Sequence, residues 1–187
     1  MGHRRRHRPA MRFSMPLISN VYLTHGLMLL CACAATYAAL PESTGRIVPE
    51  WRPAVTPLLA AMAALSLIAY PTWGELKNPG LWMFAILAAV AGAARGYWLR
   101  LYVDHSWRLI RLQKAYDCLV AAVALIGLSL IEIALAAIGP ADQPTMELGL
   151  TVIASFLVGR SAAVLLRSRQ EPQSDLHDSP APPAAEG

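Results

Sequence analysis

Five apolar runs, residues 21–40, 54–70, 80–99, 118–138 and 148–166, alternate with short polar breaks along the 187-residue chain. Runs near 20 residues match a hydrocarbon layer of roughly 30 Å at about 1.5 Å per helical residue. The pattern predicts an all-α membrane protein, a bundle of about five transmembrane helices. Pro41 is expected to end the first helix, and PESTGRIVPEWRP then reads as a proline-punctuated polar loop. Pro57 falls near the start of the second run, where the first helical turn needs no amide donor. That run has 17 residues, at the short end for a span. Gly139 and Pro140 stop the fourth.

The long polar interruption is residues 95–117, RGYWLRLYVDHSWRLIRLQKAYD, with five basic residues. Two alternating stretches, 99–103 and 107–112, flank Asp104, His105 and Ser106, the pattern of a short β-hairpin with a tight turn. The competing reading extends the third and fourth helices past the headgroups, where Trp and Tyr are equally at home. On either reading the third and fourth helices are joined by a short basic insert, and Arg95, Asp104, Arg108, Arg111 and Asp117 are its candidate contacts. Residues 1–20 form a basic N-terminal tail. Residues 167–187 are proline-rich and acidic with few large apolar side chains, so a disordered C-terminal tail is expected there.

Composition agrees with the pattern: 56% of residues are apolar and 15% charged, against roughly 45–50% and 25% in soluble domains. The net charge of +4 sits beside apolar runs, which points to membrane topology and away from nucleic acid. With five spans, nine basic residues (Arg46, Arg52, Arg95, Arg100, Arg108, Arg111, Lys114, Arg167, Arg169) share one side, opposite Lys77 and the cluster Arg4, Arg5, Arg6, Arg8 and Arg12. Met11 and Met15 offer alternative starts, and a start at Met15 removes that cluster. The insert and the C-terminal tail are then expected to be cytosolic, in the cytoplasmic (inner) membrane of a bacterium; if the cluster is retained, either the topology inverts or the short second run does not span.

Ionisable groups at membrane depth cost on the order of 2.5–3.5 kcal/mol each, so each one asks for a partner or a role. His25, Glu132 and Arg160 are the candidates. The first helix starts on the side where the fourth finishes, which puts His25 and Glu132 at one level. Such a pair suits a structural hydrogen bond, a proton-handling site or a metal foothold. Arg160 lies close to the level of Arg95, and both can reach toward Asp104 or Asp117. Gly92 and Gly96 form a GxxxG step that permits close helix approach. On the fourth run Ala122, Ser129, Glu132 and Ala136 share a face.

Cys31, Cys33 and Cys118 make neither a CxxC pair nor a zinc spacing, and only His25 of the five histidines lies inside a run. Paired-histidine haem ligation is therefore not expected, and no nucleotide-binding or hydrolase motif is present. No cofactor is implied. The order of parts, with the basic alternating insert and the arginine-bearing end of the last run, VGRSAAVLLRSR at 158–169, resembles the CcdC-like group of small bacterial membrane proteins. The resemblance implies architecture only. The expected function is a non-enzymatic structural or partner-binding membrane component that contacts anionic lipid and a membrane-protein partner or a second copy. The alternative is a small proton-coupled transporter using Glu132 and His25.

Overall fold

A computed structural model describes residues 23–68, 79–138 and 144–173. Helix α1, Leu23–Ser43, is followed by strand β1, Ile47–Pro49, a 3-10 turn over Arg52–Ala54 and helix α2, Val55–Ile68. Helix α3, Pro79–Trp98, leads into strands β2, Leu101–Asp104, and β3, Leu109–Leu112. Helices α4, Asp117–Ile138, and α5, Pro144–Ser168, complete the chain.

Four of these helices, α1, α3, α4 and α5, are long and apolar enough to cross a membrane. Within the described residues the second expected run forms the 14 residues of α2, about 21 Å of helix; residues 69–78 lie outside the described residues. The surface supports a membrane bundle. Buried positions are dominated by small residues, among them Ala32, Ala35, Ala60, Ala63, Ala122 and Ala154. Large apolar side chains such as Leu30, Leu58, Met62, Ile86, Leu87 and Val123 point outward. In water that arrangement would waste the hydrophobic effect, whereas in lipid small residues drive helix contact by close packing.

Helix α5 is the central element, packed on α2, α3 and α4. Its contact with α3 depends on three glycines. A Cβ at Gly92 would lie 2.0 Å from the Phe156 carbonyl oxygen, at Gly96 2.4 Å from that of Arg160, and at Gly159 1.9 Å from that of Ala89. The GxxxG step of α3 therefore meets a reciprocal glycine on α5.

Pro41 lies inside α1 and does not end it. It lacks the amide for one helical bond, but the helix closes beyond it in a Schellman arrangement. Arg46 N donates to Pro41 O and Gly45 N to Glu42 O, each at 3.2 Å, and Gly45 takes the left-handed conformation at φ +67°. The Ser43 and Thr44 hydroxyls donate to the Leu40 and Pro41 carbonyls.

The following stretch is also more than a loop. Strand β1 pairs antiparallel with β3, and β3 with β2, in a three-stranded sheet of order β1-β3-β2. In register, Val48 faces Ile110 and Ile110 faces Val103. This row, with Leu99, Leu112 and Ala115, forms a second apolar cluster against Val164 of α5. The sheet thus covers the end of the bundle where α1, α3 and α5 finish and α2 and α4 begin.

Helix α5 extends past the expected bounds at both ends. Pro144 opens it, with fixed φ and no amide to waste. At the other end Arg167 remains helical, because its guanidinium donates to the Tyr97 and Leu99 carbonyls at the end of α3. The chain just beyond α5 lies on the β2–β3 turn. His105 Nε2 is 2.9 Å from Glu171 O, and Gln173 Nε2 donates to Ser106 Oγ at 3.1 Å. The expected basic N-terminal tail and the remainder of the expected disordered tail, residues 174–187, lie outside the described residues.

Candidate functional site

The densest concentration of charge is buried beneath the sheet, where four helix ends meet. Arg160, on α5, has no exposed surface. Its Nη1 donates to Glu42 Oε2 at 2.8 Å and its Nε to Asp117 Oδ2 at 3.1 Å. Arg95 Nε, on α3, donates to the same Asp117 oxygen at 3.2 Å. One carboxylate comes from the last turn of α1 and the other from the first residue of α4, so Arg160 joins three helices directly and α3 through Asp117.

The two acids are placed differently with respect to the helix dipoles. Asp117 sits at a helix N-terminus, where a negative charge is favoured. Glu42 sits at a C-terminus, where it is disfavoured, and the Arg160 guanidinium compensates it. Two polar atoms of the cluster, Arg160 Nη2 and Asp117 Oδ1, are buried without a hydrogen-bond partner among the described residues. They are the atoms that would make the second bond of a side-on Arg–carboxylate fork. Cys118 is buried next to Asp117, within electrostatic reach of Glu42.

A second polar pair occupies the far end of the same helix interface. Buried positions His25, Met28, Ala32, Ala35, Ala39 and Glu42 run along one face of α1. On α4 the facing positions are Cys118, Ala122, Leu125, Ser129 and Ala136, all buried, with half-buried Glu132 among them. The helices are antiparallel, so His25 comes within electrostatic reach of Glu132 while Glu42 meets Cys118. Glu132 Oε2 is buried without a hydrogen-bond partner among the described residues. About 25 Å of helix separates the two polar ends. Between them Thr36 and Ser129 donate to carbonyls of their own helices, Ala32 and Leu125.

The structure brings Arg95 and Arg160 to Asp117, not to Asp104. Asp104 is used locally: its Oδ1 accepts the amides of Ser106 at 2.9 Å and Trp107 at 3.3 Å, the behaviour of Asp in a turn. Arg108 follows in the left-handed region at φ 51° and lines a cleft of about 510 Å³ with Glu50, Trp51, Trp107 and Arg169. Arg111 is the sheet partner of Ile47 and Tyr102.

Glu42 and Cys118 are the members of the site that residue patterns alone do not announce. The signal for Glu42 was the Thr44–Gly45 step, a helix C-cap that keeps residues 41–43 helical and carries the buried face of α1 one turn further. Cys31, Cys33 and Cys118 are free thiols. Among the described residues no group of three or more His, Cys, Asp or Glu is disposed to hold a metal ion. Comparisons of the chain with protein-family models, curated proteins and solved structures give no match.

Proposed function

We propose that this chain is a five-span, non-enzymatic component of a bacterial inner membrane. In this reading its sheet-covered end faces the cytosol and engages anionic lipid and a membrane-protein partner or second copy through Arg95, Arg108 and Arg111. The observation that carries the reading is the fully buried Arg160 with its two carboxylates. It compensates every charge it touches and ties the helix ends together, which is what a rigid scaffold requires. The cytosolic assignment rests on the basic residues gathered at the sheet end and on the preference of Lys and Arg for that side. Exposed Trp51, Tyr97, Trp98, Trp107 and Tyr116 suit the interface level there. The resemblance to the CcdC-like group implies architecture only and adds no chemistry.

Affinity purification from the native membrane through a C-terminal tag tests this function. A partner recovered in fixed stoichiometry, and reduced by Arg108→Glu with Arg111→Glu, is the expected result. Recovery of lipid alone, with unchanged membrane insertion, overturns the partner-binding role. A second reading, a small proton-coupled transporter, draws support from Glu132 Oε2 beside His25. Proton-dependent flux in proteoliposomes that Glu132→Gln abolishes would select it over the scaffold.

A further inference from the structure

We propose that the cleft between the end of α1 and the β1 edge binds the phosphate of one anionic phospholipid. The cleft holds about 550 Å³ and is lined by Tyr37, Leu40, Thr44, Arg46, Ile47 and Arg52, among others. That volume lies within the range of ligand pockets, roughly 300–1,000 Å³. Its two ends differ chemically. Tyr37 and Leu40 are exposed on the last turns of α1 and continue the apolar outer surface, a wall for an acyl chain. Arg46 and Arg52 lie beyond the helix end, where a headgroup phosphate would sit.

Neither guanidinium has an ion-pair or hydrogen-bond partner among the described residues, and no carboxylate lines the cleft. The other cleft at this end differs in that respect. Arg108 and Arg169 share it with Glu50, whose carboxylate accepts a bond from Ser168 and opposes an anion. Two arginines lining one cleft with no carboxylate among its lining residues suit a phosphate, which takes paired N–H donors. A basic pocket beside an apolar helix wall at the cytosolic leaflet is the setting in which lipid headgroups are recognised.

The inference rests on the reading of the sheet end as a membrane surface. Its test titrates the full-length protein, held in phosphatidylcholine–detergent micelles, with short-chain phosphatidylglycerol while native mass spectrometry counts bound lipid. One phosphatidylglycerol binding more tightly than all later ones is expected. Arg46→Gln with Arg52→Gln should weaken that first event about thirtyfold, from roughly fivefold per guanidinium. Arg46→Gln alone should give about fivefold, a fallback if the double variant folds poorly.

A charge-matched control, Arg100→Gln with Lys114→Gln, should leave the first event unchanged. Equal weakening in the control overturns the site in favour of diffuse charge attraction. Displacement of the lipid by inorganic phosphate at equal concentration assigns the cleft to free phosphate and overturns the lipid source. Failure of the membrane reading has a different signature: the unmodified protein would remain soluble without detergent.

Discussion

Replacing Arg160 by Met should destabilise the protein by about 3–5 kcal/mol, the cost of leaving a buried charge without its partner. The structure says where that cost falls. Asp117 would keep Arg95, at 3.2 Å and with Arg95 about half exposed (48%), a pair weakened by solvent. Glu42, only 3% exposed on its side chain, would keep no cation. Most of the loss therefore belongs to Glu42, and removing its charge should recover it. Arg160→Met with Glu42→Gln is expected to lie within about 1–2 kcal/mol of the parent, since apolar replacement of a buried pair is often near neutral. The assay is a double-mutant cycle in mixed micelles, with tryptophan fluorescence following SDS-induced unfolding. A coupling of at least about 2–3 kcal/mol is expected, larger by whatever Glu42→Gln costs alone. Additive effects of the two substitutions, or Arg160→Met as stable as the parent, would refute the reasoning.

Gly92→Ala and Gly159→Ala should each destabilise by more than about 1 kcal/mol, despite the better helix propensity of Ala, because their new Cβ atoms would fall 2.0 Å and 1.9 Å from carbonyl oxygens of the facing helix. Gly26→Ala and Gly127→Ala, with nothing within 4 Å, should be neutral or stabilising by up to about 1 kcal/mol; a like response from all four in the same unfolding assay would sink the close-approach account. Glu132→Gln should reach the membrane in parental yield while Glu132→Lys does not, as measured by membrane fractionation, and equal yields would count against a buried carboxylate at the α1–α4 interface. A cysteine placed at Gln113 in a chain freed of its three native thiols should react with an impermeant maleimide only after the cells are opened, and labelling of intact cells would invert the proposed orientation.

Much of this arrangement follows from depth and periodicity. The level of Arg160 and Arg95, counted from their helix ends, is enough to bring both to the start of α4, and the common level of His25 and Glu132 follows from antiparallel α1 and α4. The alternating stretches 99–103 and 107–112 overlap β2, Leu101–Asp104, and β3, Leu109–Leu112. Strand β1 was not legible because Ile47–Pro49 is three residues long and ends in proline; only its partner β3, more than 60 residues further on, makes it a strand. Glu42 was hidden by Pro41, whose usual meaning as a helix end was overridden by the Gly45 closure four residues, about one turn, later. Asp104 was an ambiguous carboxylate, and its own turn satisfies it before any distant arginine can.

Small side chains give α1 and α4 a close contact, with Met28 and Leu125 the large fully buried residues along the facing positions. A slip of one turn, about 5.4 Å, would part Arg160 from Glu42 and His25 from Glu132 at once. For Arg160 and Glu42 the loss would fall on buried charge, where it is largest. The two polar ends therefore add to the packing of Met28 and Leu125 in holding one register. The Schellman closure at Gly45 belongs to the same device, because ending α1 at Pro41 would leave Glu42 without the helical position that aims it at Arg160. Fixing that register also fixes where β1 begins, and with it the edge that sets Arg46 beside the last turn of α1.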